Sequence, residues 1–249
     1  MNLSSPDGDL RARIYGSYRS THVAPTRASA EAELASRAPY LAALVDRHFP
    51  ENRDAEILDL GCGAGLLLHV ARGRGYARVS GVDRSAEQVA AAAQLGVSNI
   101  VEGDLLETLA SLPDDARDVV ISFDVIEHFT AEELLRFVDE VRRVLRPGGR
   151  WIIHTINAES PFFGRIRYGD FTHQQAFSGS SMRQLLRASG FSAVHCYEDA
   201  PVVHGVASLA RRIAWSGVRT LLRGYLAIET GSLDRGVILS QNFLTVAVK

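Results

Sequence analysis

The stretch Ile57-Leu58-Asp59-Leu60-Gly61-Cys62-Gly63-Ala64-Gly65 constrains this chain more than any other. An apolar run carries an acid near its end and breaks into a loop with glycine at every second position. The run reads as a buried strand. Gly61, Gly63 and Gly65 supply a turn in which side chains would block a close ligand. Leu66 to Ala71 then reads as a helix whose positive N-terminal end faces that ligand. Further on, Arg78-Val79-Ser80-Gly81-Val82-Asp83 forms a second strand ending in another acid. The pair grips the adenosine part of a cofactor, with Asp83 accepting hydrogen bonds from both ribose hydroxyls.

The rest of the chain agrees with an α/β domain. Strands read at 55–60, 78–83, 98–102, 118–123 and 149–156, with helices near 65–74, 85–95 and 130–145. This alternation argues for a parallel sheet with helices on both faces. Ser85 with Gln88, and Thr130 with Glu133, fit capping boxes. Arg146-Pro147-Gly148-Gly149 reads as a turn back into the sheet. Residues 1–54 read as a helical N-terminal cover, its 30–48 helix interrupted by Pro39, and 55–249 as the main domain. An irregular excursion occupies 157–178, a helix 180–189, and strands 191–198 and 237–248.

Composition narrows the classes. A formal charge of −2 over 249 residues excludes a whole-surface electrostatic grip on nucleic acid, so no nucleic-acid partner is expected. Two cysteines, Cys62 and Cys196, make no disulfide framework and point to a reducing cytoplasm. The N-terminal segment is polar and acidic, unlike a secretory signal, and no apolar run is long enough to cross a bilayer.

Five blocks in register carry a family resemblance: Leu58-Asp59-Leu60-Gly61-Cys62-Gly63-Ala64-Gly65, Gly81-Val82-Asp83, Gly103-Asp104-Leu105, Asp118 through His128, and Leu145-Arg146-Pro147-Gly148-Gly149. Together they resemble the class I S-adenosylmethionine-dependent methyltransferases of small-molecule and bacterial polysaccharide pathways. The resemblance implies a Rossmann-like, doubly wound seven-stranded sheet with an antiparallel last strand. It implies S-adenosylmethionine as cofactor, with Gly61, Cys62, Gly63 and Gly65 at its methionine part and Asp59 at its amino end. Asp83 and Arg84 would lie at the ribose, Asp104 and Leu105 at the adenine, and Phe123 beside them. A nicotinamide dehydrogenase is the main rival, but its fingerprint needs a sixth-position glycine where this loop has Leu66. A non-catalytic cofactor-binding protein is the third reading.

Methyl transfer from a sulfonium asks the protein to align two reactants and exclude water. An alcohol acceptor also needs a base or a metal to take up or weaken its proton. Asp124, Glu127 and His128 have the i, i+3, i+4 spacing that converges on one side of a helical turn, and His173 could complete a divalent-metal site with them. His128 or His173 as base, and simple lining of the cofactor pocket, are the competing readings. Arg165, Arg167 and Tyr168 in the excursion, with Tyr18 and His22 in the cover, are expected at the acceptor. The expected acceptor is a hydroxyl on a small molecule or saccharide, and N-methylation is the alternative.

Residues 206–226 read as an amphipathic helix with Arg212, Arg219 and Arg223 on one stripe and aliphatics opposite. The spacing is read as apolar side inward and arginines outward, toward an anionic acceptor or membrane surface and a lipid-linked substrate. Packing on a second subunit, as a homodimer, is the other use of such a helix.

Overall fold

The structure, a computed structural model, describes Ile14, residues 27–234 and residues 236–249. Tyr18 and His22 lie outside the described residues.

Helix α1 (Arg27–His48) runs through Pro39 and leads into β1 (Ile57–Leu60). There follow α2 (Leu66–Gly73), β2 (Val79–Asp83), α3 (Ala86–Gln94), β3 (Ile100–Glu102), α4 (Leu105–Ser111) and β4 (Arg117–Phe123). A 3-10 turn (Ile126–His128) precedes α5 (Ala131–Val144) and β5 (Leu145–Ile156). The chain ends with α6 (Phe163–Arg167), α7 (Gly179–Ala188), β6 (Ala193–Glu198), α8 (Val206–Thr230) and β7 (Asn242–Val248).

The seven strands lie in the order β3-β2-β1-β4-β5-β7-β6. β1 pairs in parallel with both β2 and β4, while β7 runs antiparallel between β5 and β6. The sheet is therefore mostly parallel with an antiparallel last strand, as expected. The connections reverse direction between β1 and β4, and such a switch point opens a crevice at the strands' carboxyl ends.

Alternation along each strand divides the core in two. Ile57, Val119 and Ile121 face α1, α2 and α3, where Leu41, Val45 and Leu68 are buried. Leu58, Leu60, Val120 and Ile153 face α5 and α7, where Phe137, Val141 and Met182 are buried. Burial of such side chains is the main stabilising contribution, about 1.5–3 kcal/mol for each large aliphatic.

Several local readings need correction. Thr130 and Glu133 make the expected reciprocal capping box on α5, but Ser85 starts α3 with no side-chain cap. Asp83 Oδ1 takes the Ser85 backbone N–H instead, at 2.9 Å. The Arg146–Gly149 segment does turn, with Gly148 at φ 76° and Gly149 close against the Arg146 backbone, but it does so within the bounds of β5, where the register slips between Arg117–Leu145 and Val119–Arg150. The last strand begins at Asn242 rather than at 237.

The largest correction concerns α8. Its arginines turn toward the protein and its aliphatics toward solvent. Arg219 Nη2 meets Glu198 Oε2 at 2.5 Å, Arg212 donates to the Pro201 carbonyl and Arg223 to the Val237 carbonyl. Val206, Ile213, Leu221 and Ile228 are exposed. The physical reason is that the segments beneath the helix offer carbonyl oxygens and a carboxylate, which guanidinium groups satisfy and methyl groups cannot. No described helix is long and apolar enough to cross a membrane.

Candidate active site

A cavity of about 350 Å³ opens at the carboxyl ends of β1, β2 and β4. Asp59, Gly61, Cys62, Gly63, Asp83, Arg84, Asp104, Leu105 and Phe123 line it, so nine sequence-derived cofactor positions converge. Gly65 is not in the lining. Its φ is +70°, and a Cβ there would lie 2.4 Å from Ile100 Cδ1, so its role is to let α2 start close to α3 and β3. Gly61, at φ +74°, is likewise closed by the chain itself, with Val125 Cγ2 2.5 Å from a would-be Cβ. Only Gly63, whose nearest neighbour would be Gln88 at 3.8 Å, keeps open space of the kind the sequence reading gave all three.

Asp59 is 2 % exposed, and its Oδ1 has no hydrogen-bond partner. Burial, then the charge of Asp83, pushes its carboxyl up to about 7. A buried carboxylate without a partner, on a cavity wall, fits the ammonium of an amino-acid moiety. Asp83 ties the loop together: Oδ2 accepts from the Gly63 N–H at 2.7 Å while Oδ1 holds Ser85. Burial raises its pKa, partly offset by these backbone hydrogen bonds. Asp104 caps α4, accepting from the backbone of Leu106 and Glu107, and its Oδ2 takes the Arg84 guanidinium at 2.7 Å. Burial raises the Cys62 thiol well above its usual range, so Cys62 is a neutral wall and not a nucleophile.

His128, at the end of the 3-10 turn, faces the same cavity. Its Nδ1 lies 2.8 Å from Thr172 Oγ1, and that hydroxyl lies 2.6 Å from Asp170 Oδ1. Thr172 is buried. The loop carrying it is pinned from two sides. The Glu127 carbonyl accepts from the backbone of Gln174 and Gln175, and Arg167 donates to the carbonyls of His173 and Gln174.

The proposed metal set does not assemble. Among the described residues no group of three or more His, Cys, Asp or Glu side chains converges. Glu127 points into the core and accepts from Thr155 Oγ1 at 2.9 Å; burial, then Asp124, holds its carboxyl well above the usual range. Asp124, in a left-handed conformation at φ 57°, reaches His154 Nδ1 at 2.6 Å. Burial alone would lower the His154 pKa, but the charge and hydrogen bond of Asp124, with Asp199, raise it. His173 Nδ1 lies 3.0 Å from the Ile166 carbonyl. Four side chains aimed at four separate partners leave no shared point for an ion.

Nor do Arg165, Arg167 and Tyr168, the expected acceptor residues among those described, line the cavity. Arg167 is a loop clamp, Tyr168 is exposed beside it, and Arg165 projects from α6. His173 stands behind His128, ring centroids 4.7 Å apart. Three residues missed in the sequence do line it: Glu33, Arg37 and Leu41, from α1. Their i, i+4, i+8 spacing on one helix face was the available signal. Arg37 also covers the Phe123 ring at 5.2 Å, and Phe123 stacks on His154 at 4.0 Å.

A family model described as a methyltransferase domain matches residues 34–196. The chain belongs to the class I S-adenosylmethionine-dependent methyltransferases. This methyltransferase is 36% identical over 141 residues to a probable S-adenosylmethionine-dependent methyltransferase of Mycolicibacterium smegmatis, covering 55% of this chain and 51% of the relative. It is 32% identical over 123 residues to a ubiquinone biosynthesis O-methyltransferase of Rickettsia bellii, covering 49% and 50%. The chain thus spans about half the length of the curated relatives it matches. A crystal structure of an S-adenosylmethionine-dependent methyltransferase from Archaeoglobus fulgidus shares the fold at TM-score 0.60 and 20% identity, covering 98% of this chain and 100% of that one. The nicotinamide reading falls with these matches.

Proposed function

We propose that this methyltransferase acts on a hydroxyl oxygen of a small molecule, with His128 as the base. The observation that carries this reading is the chain His128–Thr172–Asp170. A threonine hydroxyl has one proton, and an ionised carboxylate can only accept. With Asp170 ionised, Thr172 donates to Asp170 and accepts from Nδ1–H of His128, so in the neutral imidazole Nε2 carries the lone pair. A hydroxyl acceptor must lose a proton as it is methylated, which this tautomer serves. A neutral amine is already nucleophilic and needs no base to attack. The ubiquinone O-methyltransferase relatives support oxygen as the target.

Asp59 would hold the cofactor's amino end, Gly63 the approach of its methionine part, Asp83 the ribose, and Asp104 with Leu105 the adenine rim. Bound there, S-adenosylmethionine supplies a methyl group on an already activated leaving group. The cover helix contributes Glu33, Arg37 and Leu41 to the wall and so helps exclude water.

The test is methyl transfer to a panel of phenols, saccharides, lipid-linked hydroxyl compounds and amines. Turnover on a hydroxyl acceptor is expected, falling about 10²–10⁴-fold in His128→Ala with cofactor affinity near normal. Methylation confined to amines, or full turnover in the variant, overturns the reading.

A further inference from the structure

We infer that α8 is the dimerisation surface of this methyltransferase, taking the same helix of a second copy in antiparallel contact about Gly217. The helix is anchored by its arginines, which leaves an aliphatic stripe in water. Val206 is 87 % exposed, Ile213 64 %, Leu221 76 % and Ile228 87 %. Leu209, Val218 and Tyr225 border the stripe and are exposed too.

The stripe is symmetric. Ile213 and Leu221 lie four residues on either side of Gly217, Ala210 and Gly224 seven, and Val206 and Ile228 eleven. A two-fold axis at Gly217 sets Ile213 against Leu221, Ala210 against Gly224 and Val206 against Ile228. Gly217 meets its own copy at the axis, and outward from it a large pair, a small pair and a large pair alternate. Self-complementarity of this kind is what an isologous interface requires.

Glycine in a helix interior is destabilising. Among the described residues, nothing beyond the helix's own neighbouring backbone lies within 4 Å of a Cβ built at Gly217 or Gly224, so their packing gives neither glycine a reason. Close approach of a second backbone gives both one.

The size of the face also fits. The four stripe side chains expose on the order of 500–600 Å² per copy, so their mutual burial removes about 1,000–1,200 Å², which reaches the size of a specific interface. A lipid surface fits less well. Interfacial helices set Lys and Arg beside the apolar face. Here Arg212, Arg219 and Arg223 bind the protein's own carbonyls and Glu198, and only Arg211 borders the stripe.

Sedimentation equilibrium of the full chain without lipid should give twice the 27.1 kDa chain mass. The double variant Ile213→Glu, Leu221→Glu should sediment as a monomer that binds the cofactor with unchanged affinity, which shows that it is folded. Gly217→Cys should link two copies through a short bis-maleimide, while the unmodified chain, with Cys62 and Cys196 alone, should not link. A wild-type monomer at about 100 µM, a dimer indifferent to the glutamates, absence of the 217 cross-link, or recovery on anionic vesicles by a chain that stays monomeric would each overturn the inference.

Discussion

At the scale of single residues, Asp59 ties the cavity to pH. Its carboxyl titrates near 7 because burial and Asp83 both oppose its charge. Its folded-state pKa lies above the ordinary carboxylate value, so the empty protein loses stability from this group as pH rises from about 4 toward 7. If Asp59 holds the cofactor's amino end as proposed, binding reverses the preference, since an ammonium beside it favours the carboxylate. Affinity for S-adenosylmethionine should therefore climb between pH 6 and about 7.5, below the α-amino range. By titration calorimetry, Asp59→Asn should bind more weakly and show a flat profile over that interval. A wild-type affinity that is flat, or falls, across it would remove Asp59 from the amino end.

Elements show where side-chain pattern is decisive and where it is not. The β1–glycine loop–α2 unit is legible because glycines that must hold positive φ stand in a fixed pattern after an apolar run. Yet two of those glycines answer to the protein's own packing rather than to ligand space. Gly65→Ala should therefore lower stability by about 2–4 kcal/mol, from left-handed strain and overpacking against Ile100, read as a drop in Tm. A Tm unchanged within error would mean that Ile100 yields freely. Helix α4 escaped the sequence reading because seven residues give too little periodicity, and its N-cap, Asp104, reads equally well as a ligand contact. For α8 the periodicity located both stripes correctly but carried no information on which one faces the domain. Glu198 and the carbonyls of Pro201 and Val237 decided that, and they lie outside the helix.

Across the whole molecule, the strand and helix alternation made the sheet legible, and with it the cavity at the carboxyl ends of β1, β2 and β4. The positions proposed for the cofactor converge on that cavity, because they sit at strand ends whose position the fold dictates. The positions proposed for the acceptor do not. Thr172 and Asp170 reach His128 only because the Glu127 carbonyl and Arg167 fold the excursion back onto the 3-10 turn, a long-range event with no local periodicity. Glu33, Arg37 and Leu41 reach the cavity only because α1 packs on α2 and the sheet.

The insertion of β7 between β5 and β6 has a consequence in time. Strand β6 is an edge strand whose neighbour is β7, and more than forty residues separate Glu198 from Asn242. At roughly 5–20 residues per second, synthesis leaves β6 without a partner for about 2–9 s and one side of β5 for about 4–17 s. During that interval the ribosome is also delivering α8, with its aliphatic face bare. Open strand edges and exposed apolar surface are the ingredients of aggregation. A chain cut after Gln241 should make that interval permanent and collect in the insoluble fraction on expression, with chaperone overproduction improving the yield of the full chain but not of the cut one. A soluble, cofactor-binding truncate would show that β5 and β6 close the sheet without β7. The order in which this polypeptide is written thus places its greatest hazard just before its last strand.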